Sequence, residues 1–417
     1  MQNAHTAAPH PRLVQTQACL STLVGFNTVS SQSNRALIDW AANRLEALGA
    51  KVLVQHGENA PNAGPSEAGK ANLFATIGPQ DIPGLILSGH SDVVPVAGQD
   101  WHSDPFTLTQ KHDAQIGDTL VARGSADMKG FIACAIEAAK GFSQSKLKQP
   151  IHIALSYNEE SNMRGMRQLA AHLAQAQVKP MGCVIGEPTS MRVVVANKGA
   201  AIFKCKVQGF SVHSSLRDQG VSAVELAAEV IVFLNKLQKQ LNQAERHDGF
   251  EFPHTSVHVG MIQGGTAHNI TAKDCEFHFE VRALPGVSAQ DIVRQVRAYC
   301  ETQLEPVAQA VSPECRIVIQ EVLDAPGLDE RGNKHLAQAL MPLCSHSQLG
   351  RVSFGTEAGM LQEVGIPTVV CGPGQIRVAH QPDEYVELAQ INECLYFMDA
   401  LTARLSGAGL QSLDLKN

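Results

Sequence analysis

The sequence predicts an α/β protein in which a mixed, mainly parallel sheet is flanked by helices and a ferredoxin-like βαββαβ domain is inserted into this first domain. Three observations predict this fold. A chain of 417 residues exceeds one ordinary hydrophobic core, so two domains are expected. Short apolar runs alternate with helical patterns in the first and last parts of the chain, which is typical of layered α/β sheets. Between about residues 195 and 322 this rhythm changes.

Four short apolar runs predict the buried strands of the first domain. They lie at residues 85–87, 151–155, 183–185 and 368–371. Each run is nearly continuous in apolar residues, and this pattern is typical of a parallel strand that is covered on both faces. Helical patterns follow the first two runs, at residues 128–142 and 161–176.

Polar and potentially metal-binding residues follow each of these runs. The four segments read SGHSD, SYNEE, GEPTS and GPGQIRVAHQPDE. Solvated loops also end strands with polar residues, so one such segment carries little weight. Four of them favour a functional site, because open α/β sheets bind their ligands at the carboxyl ends of the strands. We expect a discontinuous metal-binding catalytic domain at residues 1–194 and 323–417.

The middle of the chain predicts a separate domain at residues 195–322. Its segments either alternate as half-exposed strands or repeat at helical spacing, in the order βαββαβ of a ferredoxin-like unit. One predicted strand places Cys275, Phe277, Phe279 and Val281 on the same face. The chain then returns to complete the first sheet.

Composition argues against several classes of partner. The net charge is −7, and no basic cluster is long enough to follow a phosphate backbone, so a nucleic-acid partner is not expected. The ten cysteines contain no CxxC pair, so buried free thiols are expected rather than a disulfide framework. The N-terminus lacks a signal-peptide pattern, and no apolar run reaches the roughly 18 residues of a membrane span. We expect a soluble, cytoplasmic protein without a membrane partner.

Seven residues near the predicted strand ends form a candidate metal centre. Histidine and carboxylate side chains without a thiolate suit zinc, or a similar first-row ion such as cobalt or manganese. The candidates are His90, Asp92, Asp127, Glu159, Glu160, Glu187 and His380. They exceed what one four-coordinate ion needs, and they fit two divalent ions that share a bridging carboxylate.

Each candidate also has a structural interpretation. The motif HSD at residues 90–92 is short enough to occur by chance. Asp127 could cap the helix that follows it, a common role for aspartate. Glu187 precedes a proline and could be a turn residue, and His380 could be an exposed loop histidine. The joint arrangement of the candidates is what favours the metal centre.

These segments resemble the di-zinc amidohydrolase and peptidase family, which includes acetylornithine deacetylase, succinyl-diaminopimelate desuccinylase, aminoacylase and related carboxypeptidases. The matching segments extend from residue 85 to residue 388 and include LILSGHSDVVP, ARGSADMKGFIACAIEA, NEES and VRALPG. The segments GEPTS, FGTEAG and GPGQIRVAHQPDEYVE resemble the acetylornithine deacetylase branch most closely. The resemblance implies a catalytic domain of α/β fold with an inserted dimerisation domain.

The resemblance implies five metal ligands, one shared by two ions and two specific to each ion. Asp127 would bridge two divalent ions, zinc or cobalt. His90 and Glu187 would complete one ion site. Glu160 and His380 would complete the other. The family also has a cis peptide bond directly after the bridging aspartate.

The resemblance also implies the reaction. Glu159 would be the general base, and Asp92 would support the imidazole of His90. The expected reaction is the hydrolysis of an N-acyl amino acid, N2-acetyl-L-ornithine to L-ornithine and acetate, in arginine biosynthesis. A succinyl-diaminopimelate desuccinylase or a broad N-acyl-amino-acid amidohydrolase is the alternative within the enzyme class. A non-catalytic binding protein on the same fold is the alternative outside it.

The inserted domain supplies further candidates under the same resemblance. His213 in GFSVHSS matches a histidine that reaches the active site of the neighbouring subunit and stabilises the oxyanion, so a homodimer is expected. Asn269 and Arg282 match positions that line the substrate pocket, where the planar fork of an arginine suits the substrate α-carboxylate. A cross-strand ion pair is the alternative for Arg282. Glu357 in FGTEAG could meet a substrate ammonium, or it could be a turn or supporting residue.

Overall fold

The computed structural model describes residues 8–407 and 409. The chain divides into two compact units. The first contains the chain up to Ala196, the segment Asp329–Gly350 and the chain from Glu357 onward. The second contains Asn197–Leu328 and Arg351–Thr356, compared with the residues 195–322 expected from the sequence.

The helices and strands follow one another in three groups along the chain. The first group is α1 Leu13–Gly25, α2 Arg35–Glu46, β1 Lys51–His56, β2 Ala71–Ile77, β3 Leu85–His90, β4 Thr109–Asp113, β5 Gly117–Val121, α3 Gly130–Gln144, β6 Ile151–Ser156, α4 Arg164–Ala174, β7 Gly182–Ile185 and β8 Val194–Asn197. The second group is β9 Gly199–Gln208, α5 Ala223–Leu241, β10 Ser256–Gly264, β11 Asp274–Ala283, α6 Ala289–Tyr299, α7 Glu305–Val311 and β12 Arg316–Ala325. The third group is α8 Lys334–Leu340, β13 Gly350–Val352, α9 Ala358–Glu363, β14 Thr368–Val370, β15 Tyr385–Glu387 and α10 Leu388–Ser406.

An eight-stranded mixed sheet has the order β1-β2-β6-β3-β7-β14-β8-β13. The four strands that the apolar runs predict, β3, β6, β7 and β14, are neighbours at its centre and run parallel. Antiparallel neighbours extend this core on both sides, with β2 and β1 beyond β6 and β8 beyond β14. The predicted α/β sheet with flanking helices is therefore confirmed.

Helix α3 is buried along most of its length because its first ten residues, GFIACAIEAA, are apolar on nearly all sides. It packs against α1 and α10. Phe131, Ile132 and Ile136 are each 1% exposed. Burial of one such side chain stabilises a fold by about 1.5–3 kcal/mol. These buried side chains hold α3 in place, and its amino end follows directly after the turn that contains Asp127.

A three-stranded antiparallel sheet, β15-β5-β4, is a feature that the sequence does not predict. Strand β4 is polar and β5 contains only two apolar residues, so their alternation signal is weak. Strand β15 pairs with β5, and Tyr385 lies opposite Val121. This pairing brings the chain after His380 next to the chain before Asp127.

The second unit contains a four-stranded antiparallel sheet in the order β10-β11-β9-β12. Its elements follow the chain order βαββαβ, with α7 continuing from α6. Helices α5 and α6 supply apolar residues to a core that includes the predicted one-sided set, Cys275, Phe277, Phe279 and Val281. Strand β10 lies at one edge of this sheet. The dimerisation role of this unit stays a prediction.

All ten cysteines are free, and all except Cys344 are buried, as expected. Helix α4 begins at Arg164 rather than at 161, because Met163 has a left-handed backbone conformation with φ of 52°. Within residues 8–407 and 409, none of the helices combines the length and the hydropathy that crossing a membrane requires.

Candidate metal centre

The carboxyl ends of the parallel strands supply most of the candidate ligands. His90 is the last residue of β3, and Glu187 follows the end of β7. Glu159 and Glu160 follow β6. His380 lies in the segment between β14 and β15. Because parallel strands end at the same edge of a sheet, the fold itself brings these side chains together.

Asp127 reaches the same place from the turn between β5 and α3. Its peptide bond to Met128 is cis, as the family resemblance implies. The buried carboxylate lies between two imidazole rings. Its Oδ1 is 2.9 Å from Nε2 of His90, and its Oδ2 is 3.3 Å from Nε2 of His380. Asp127 therefore lies between the two predicted histidine ligands, as its predicted bridging role requires.

Two glutamates complete a group of donors on each side of Asp127. Oε1 of Glu187 lies 3.7 Å from Nε2 of His90, and Oε1 of Glu160 lies 3.0 Å from Nε2 of His380. Donor atoms of His90, Asp127 and Glu160 all lie within 4.8 Å of one another, a grouping that could hold a metal ion. The structure brings all five predicted ligands together, with one histidine and one glutamate on each side of the shared aspartate.

The carboxylates of this cluster fit divalent cations. Burial, together with the charge of Asp127, raises the pKa of Glu160 to about 7. The same two causes raise the pKa of Glu187 well above its ordinary value. Buried like charges at this density are unfavourable without a compensating cation. Two divalent ions would compensate these negative charges. The oxygen and nitrogen donors of the cluster are of the types that zinc and cobalt bind.

The pKa values of both histidines in the cluster are raised. Burial lowers the pKa of His90, but its hydrogen bond to Asp127 and the charge of Glu187 outweigh burial and raise this pKa well above its ordinary value. Hydrogen bonds to Asp127 and Glu160 raise the pKa of His380 to about 10. A histidine that binds a metal must be neutral, so binding of a metal by these histidines would be coupled to proton release.

Asp92 supports its neighbours differently from the predicted arrangement. Nδ1 of His90 lies 2.9 Å from the backbone oxygen of Asp92, whereas the carboxylate Oδ1 is 3.8 Å away. The carboxylate instead accepts the backbone N–H of Glu159 at 3.0 Å, the N–H of Glu160 at 3.3 Å and the hydroxyl of Ser30 at 2.5 Å. Asp92 thus holds His90 through its main chain and the two glutamates through its side chain.

Glu159, the predicted general base, lies next to the ligand Glu160 and is 8% exposed. Burial raises its pKa well above the ordinary value, although the charge of His90 opposes this shift. A carboxyl group with a raised pKa both accepts and releases a proton more readily near neutral pH. Its environment suits the role, which stays a prediction.

Glu357 is enclosed by protein rather than open to a substrate. It is 1% exposed, and its Oε2 accepts the hydroxyl of Ser156 at 2.8 Å. Its Oε1 has no hydrogen-bond partner within the described part of the chain. Burial raises its pKa to about 7. These contacts favour the supporting role over direct contact with a substrate ammonium.

Three predicted residues, His213, Asn269 and Arg282, belong to the second unit. The loop that carries His213 pairs with the segment that carries Asn269. Nδ1 of His213 accepts the backbone N–H of Ser215 at 3.3 Å, so a neutral His213 ring carries its proton on Nε2. Nη2 of Arg282 lies 3.0 Å from Oε2 of Glu280 on the same strand, in place of the cross-strand pair considered above.

The sequence does not single out Arg123 and Glu384, which form a buried ion pair behind Asp127. Nη1 of Arg123 lies 2.7 Å from Oε2 of Glu384, and both side chains are 1% exposed. Both residues lie inside motifs that carry the family resemblance, ARGSAD and AHQPDE. Their position inside these motifs was the only hint of a functional role that the sequence offered. The fold is needed to show that two residues 261 positions apart are partners.

Known proteins resemble this chain along most of its length. The pattern of the family described as Peptidase family M20/M25/M40 matches residues 86–404. A protein of Proteus mirabilis named acetylornithine deacetylase is 37% identical to this chain over 373 residues, which are 89% of this chain and 90% of that protein. This agreement extends over both units of the chain.

Solved structures share the fold at low sequence identity. A tripeptidase from Staphylococcus aureus has a TM-score of 0.69 at 19% identity, over 94% of this chain and 99% of that chain. A dinuclear metal-binding peptidase of the M20 family from Bacillus subtilis has a TM-score of 0.62 at 15% identity, over 95% of this chain and 98% of that chain. At these identities the likeness concerns the fold alone.

Proposed function

Because the chain belongs to peptidase family M20/M25/M40 and is a metal-dependent hydrolase of amide bonds, we propose that it converts N2-acetyl-L-ornithine to L-ornithine and acetate. The observation that carries this proposal is the cluster of five ligand side chains with the carboxyl group of Glu159 beside it. The name of the Proteus mirabilis relative supports the choice of substrate. Cytoplasmic arginine biosynthesis is the setting that we propose for this reaction.

Two divalent ions, zinc or cobalt, are the cofactors that we propose. His90 and Glu187 would hold one ion. Glu160 and His380 would hold the other, and Asp127 would bridge the two. Such ions supply a Lewis acid for the amide carbonyl and lower the pKa of water.

Glu159 moves the proton in the proposed reaction. Its carboxylate accepts a proton from water as the water oxygen bonds to the carbonyl carbon of the amide. Protonated Glu159 then gives this proton to the amide nitrogen as the C–N bond breaks, which releases acetic acid and a free amine. At neutral pH the carboxyl proton of the acid passes to the amine, so the products are acetate and an ammonium group. The hydrogen bond from the Glu159 N–H to Asp92 fixes the main chain from which this carboxyl group extends.

Arg282 and Asn269 are the residues that we propose for substrate binding. The planar guanidinium of Arg282 would bind the α-carboxylate in bidentate fashion in place of its present partner, Glu280. Glu357 remains the acidic candidate for the ornithine ammonium, although its burial favours an indirect role.

We also propose a homodimer in which His213 acts on the neighbouring copy. Strand β10 is an edge strand of the second unit, and it exposes Met261 by 66% and Ile262 by 54%. Apolar side chains exposed on a sheet edge favour pairing with another copy. The proton that Nε2 of His213 carries suits a hydrogen bond to the developing oxyanion.

A substrate panel tests the proposed function. The measurement is kcat/KM for N-acetylornithine, N-acetylmethionine and N-succinyl-diaminopimelate, with zinc or cobalt added. We expect N-acetylornithine to exceed the other two by at least about tenfold, the discrimination that about 1.4 kcal/mol provides. A preference of orders of magnitude for the succinyl substrate would show that the substrate assignment is wrong. Equal rates on all three would indicate a broad amidohydrolase, and bound metal without turnover would indicate a binding protein.

A further inference from the structure

The buried ion pair between Arg123 and Glu384 is not explained by stability. The two side chains are 1% exposed and 2.7 Å apart at their closest nitrogen and oxygen. Removing two charges from water costs several kcal/mol per ion, and apolar replacements of such pairs are often neutral or stabilising. A pair of this kind therefore points to a role in fixing one conformation, and its remaining contacts show which conformation is fixed.

The second oxygen of Glu384 holds the turn that carries Asp127. Oε1 accepts the backbone N–H of Ala126 at 2.9 Å and that of Asp127 at 3.0 Å. Hydrogen bonds from two successive N–H groups to one carboxylate are charge-assisted and directional. They fix the orientation of the peptide units from which the bridging carboxylate extends.

The guanidinium of Arg123 holds the segment that carries His380. Nη1 donates to the backbone oxygen of Gln381 at 3.3 Å, and Nη2 donates to the side chain of Gln99. Nε2 of Gln99 in turn donates to the backbone oxygen of His380 at 2.8 Å. The Arg123 guanidinium also lies over the ring of Trp101, 5.0 Å from its centroid, which limits its rotation.

His380 needs such support more than the opposite histidine does. Its side chain is 48% exposed, and its φ is 64°, an unfavourable conformation for a residue other than glycine. His90 is 1% exposed and ends a central strand of the sheet. Packing therefore fixes His90, whereas backbone contacts must fix His380.

We propose that Arg123 and Glu384 are positioning residues that hold Asp127 and His380 at the separation that the metal centre requires. The inference rests on the proposed function, because it assumes that this centre binds two metal ions. It assigns the pair to the His380 and Glu160 side of the centre. Loss of the pair should weaken metal binding most on that side, and less on the His90 and Glu187 side, which shares only Asp127 with it.

Calorimetric titration of zinc into the metal-free protein tests the proposal. We expect wild-type protein to bind two ions per chain. In Glu384→Gln and in Arg123→Met, the affinity for one ion should fall at least tenfold, and the affinity for the other ion, which shares Asp127, should fall by a clearly smaller factor. The matched control is Glu137→Gln, which removes a different ion pair, with Arg44 of α2, and should leave both affinities within twofold of wild type.

The visible spectrum of the cobalt-loaded protein supplies a second readout. Cobalt absorption depends on the number and geometry of its ligands, so a general loss of stability does not change the spectrum of the folded fraction. We expect Glu384→Gln to lose or shift the component of one of the two ions. If Glu384→Gln and Arg123→Met both fail to fold, Arg123→Lys provides the test, because it keeps the positive charge but lacks the planar guanidinium. We expect it to weaken binding of the same ion by a smaller factor.

The outcomes separate this proposal from the proposed function. Unchanged affinities and spectra in folded Glu384→Gln or Arg123→Lys would overturn the positioning role alone. Equal weakening of both ions would also overturn it, since the pair would then support the whole site rather than one side. Wild-type protein that binds no metal would contradict the proposed function itself.

Discussion

At the scale of single residues, the centre depends on two adjacent glutamates with different neighbours. Glu160 lies 3.0 Å from His380, among the candidate ligands, whereas Glu159 lies beside them. The carboxylate of Asp92 accepts the N–H of both glutamates, so one buried side chain sets the position of both. This adjacency places the proposed proton acceptor directly beside a proposed metal ligand.

Substitutions of the two glutamates should therefore have different effects. Glu159→Gln should keep two metal ions and the wild-type unfolding midpoint, but lower kcat by at least about 100-fold, since a positioned general base contributes about 10²–10⁴. Glu160→Ala should lower the bound metal from two ions toward one, because it removes a ligand. Elemental analysis and steady-state kinetics on the same samples check both results. Equal metal loss in both variants, with Glu159→Gln still active, would contradict the division of roles.

The sequence could predict candidate ligands that the structure brings together, but it could not predict the residues that support them. His90, Asp127 and His380 lie in short motifs whose residue types already suggest metal binding. Arg123 and Glu384 are common surface residue types, and their role depends on a contact across 261 positions that only the folded sheet creates. Supporting contacts of this kind are tertiary and leave no periodic pattern in the sequence.

At the scale of elements, the close packing of the end of strand β7 against helix α3 requires a glycine at one position. An added Cβ at Gly186 would lie 2.0 Å from Cγ of Phe131 on the buried helix α3. Gly186 therefore permits the close approach of sheet and helix, directly before the proposed ligand Glu187. A side chain at this position would move either the helix or the ligand.

Gly186→Ala should destabilise the protein by about 1–3 kcal/mol, the usual cost of overpacking a core. It should also weaken metal binding, since the backbone of Glu187 must shift. Gly25→Ala is the matched control, because an added Cβ there meets no atom within 4 Å in the described structure and should change stability by less than about 1 kcal/mol. Urea unfolding with and without chelator measures both effects. A Gly186→Ala protein as stable as the control would contradict the packing account.

Strand β6 carries a histidine whose burial makes stability depend on pH. The ring of His152 stacks on Phe74 at 5.0 Å, and Nδ1 lies 2.9 Å from the hydroxyl of Thr76. Burial lowers its pKa from 6.5 to about 4. The unfolded chain binds this proton more readily than the folded chain does. The stabilising contribution is therefore complete above about pH 6.5 and is lost as the pH falls toward about 4.

His152→Phe should remove this part of the pH dependence. Between pH 7 and pH 4, the wild-type free energy of unfolding should fall by up to about 3 kcal/mol more than that of the variant, since one unit of pKa shift corresponds to about 1.4 kcal/mol. Urea unfolding of both proteins at matched pH values gives this difference directly, and all other titrating groups cancel. Parallel curves for the two proteins would show that His152 does not contribute.

The buried strands could be predicted from the sequence, whereas the short or exposed strands could not. The four central strands are continuous apolar runs because helices cover both faces, so the sequence predicts them and their carboxyl ends. Strand β4 is polar and mostly exposed, and β15 has three residues, so neither has a pattern that distinguishes it from a loop. The sheet β15-β5-β4, which the sequence does not predict, is the one that brings Arg123 and Glu384 together. Their pairing could therefore not be predicted from the sequence.

At the scale of the whole molecule, the exposed edge of the second unit predicts the oligomeric state. Light scattering of wild-type protein should give twice the mass of one chain. Met261→Lys combined with Ile262→Lys should give a monomer, because two charges would be placed on the apolar edge strand β10. Val307→Lys on α7, which replaces a side chain that is 71% exposed, is the control and should stay dimeric. A monomeric wild-type protein, or a dimeric double variant, would contradict the proposed interface.

The proposed function requires that the five converging side chains form a metal centre that hydrolyses an amide. The most direct test is to remove metal from the protein with a chelator, return zinc or cobalt in measured portions and record the release of ornithine from N-acetylornithine. We predict no turnover without metal and a rise in rate that ends at two ions per chain. Full turnover by the metal-free protein, or no turnover on N-acetylornithine or any other N-acyl amino acid with both ions bound, would contradict the account.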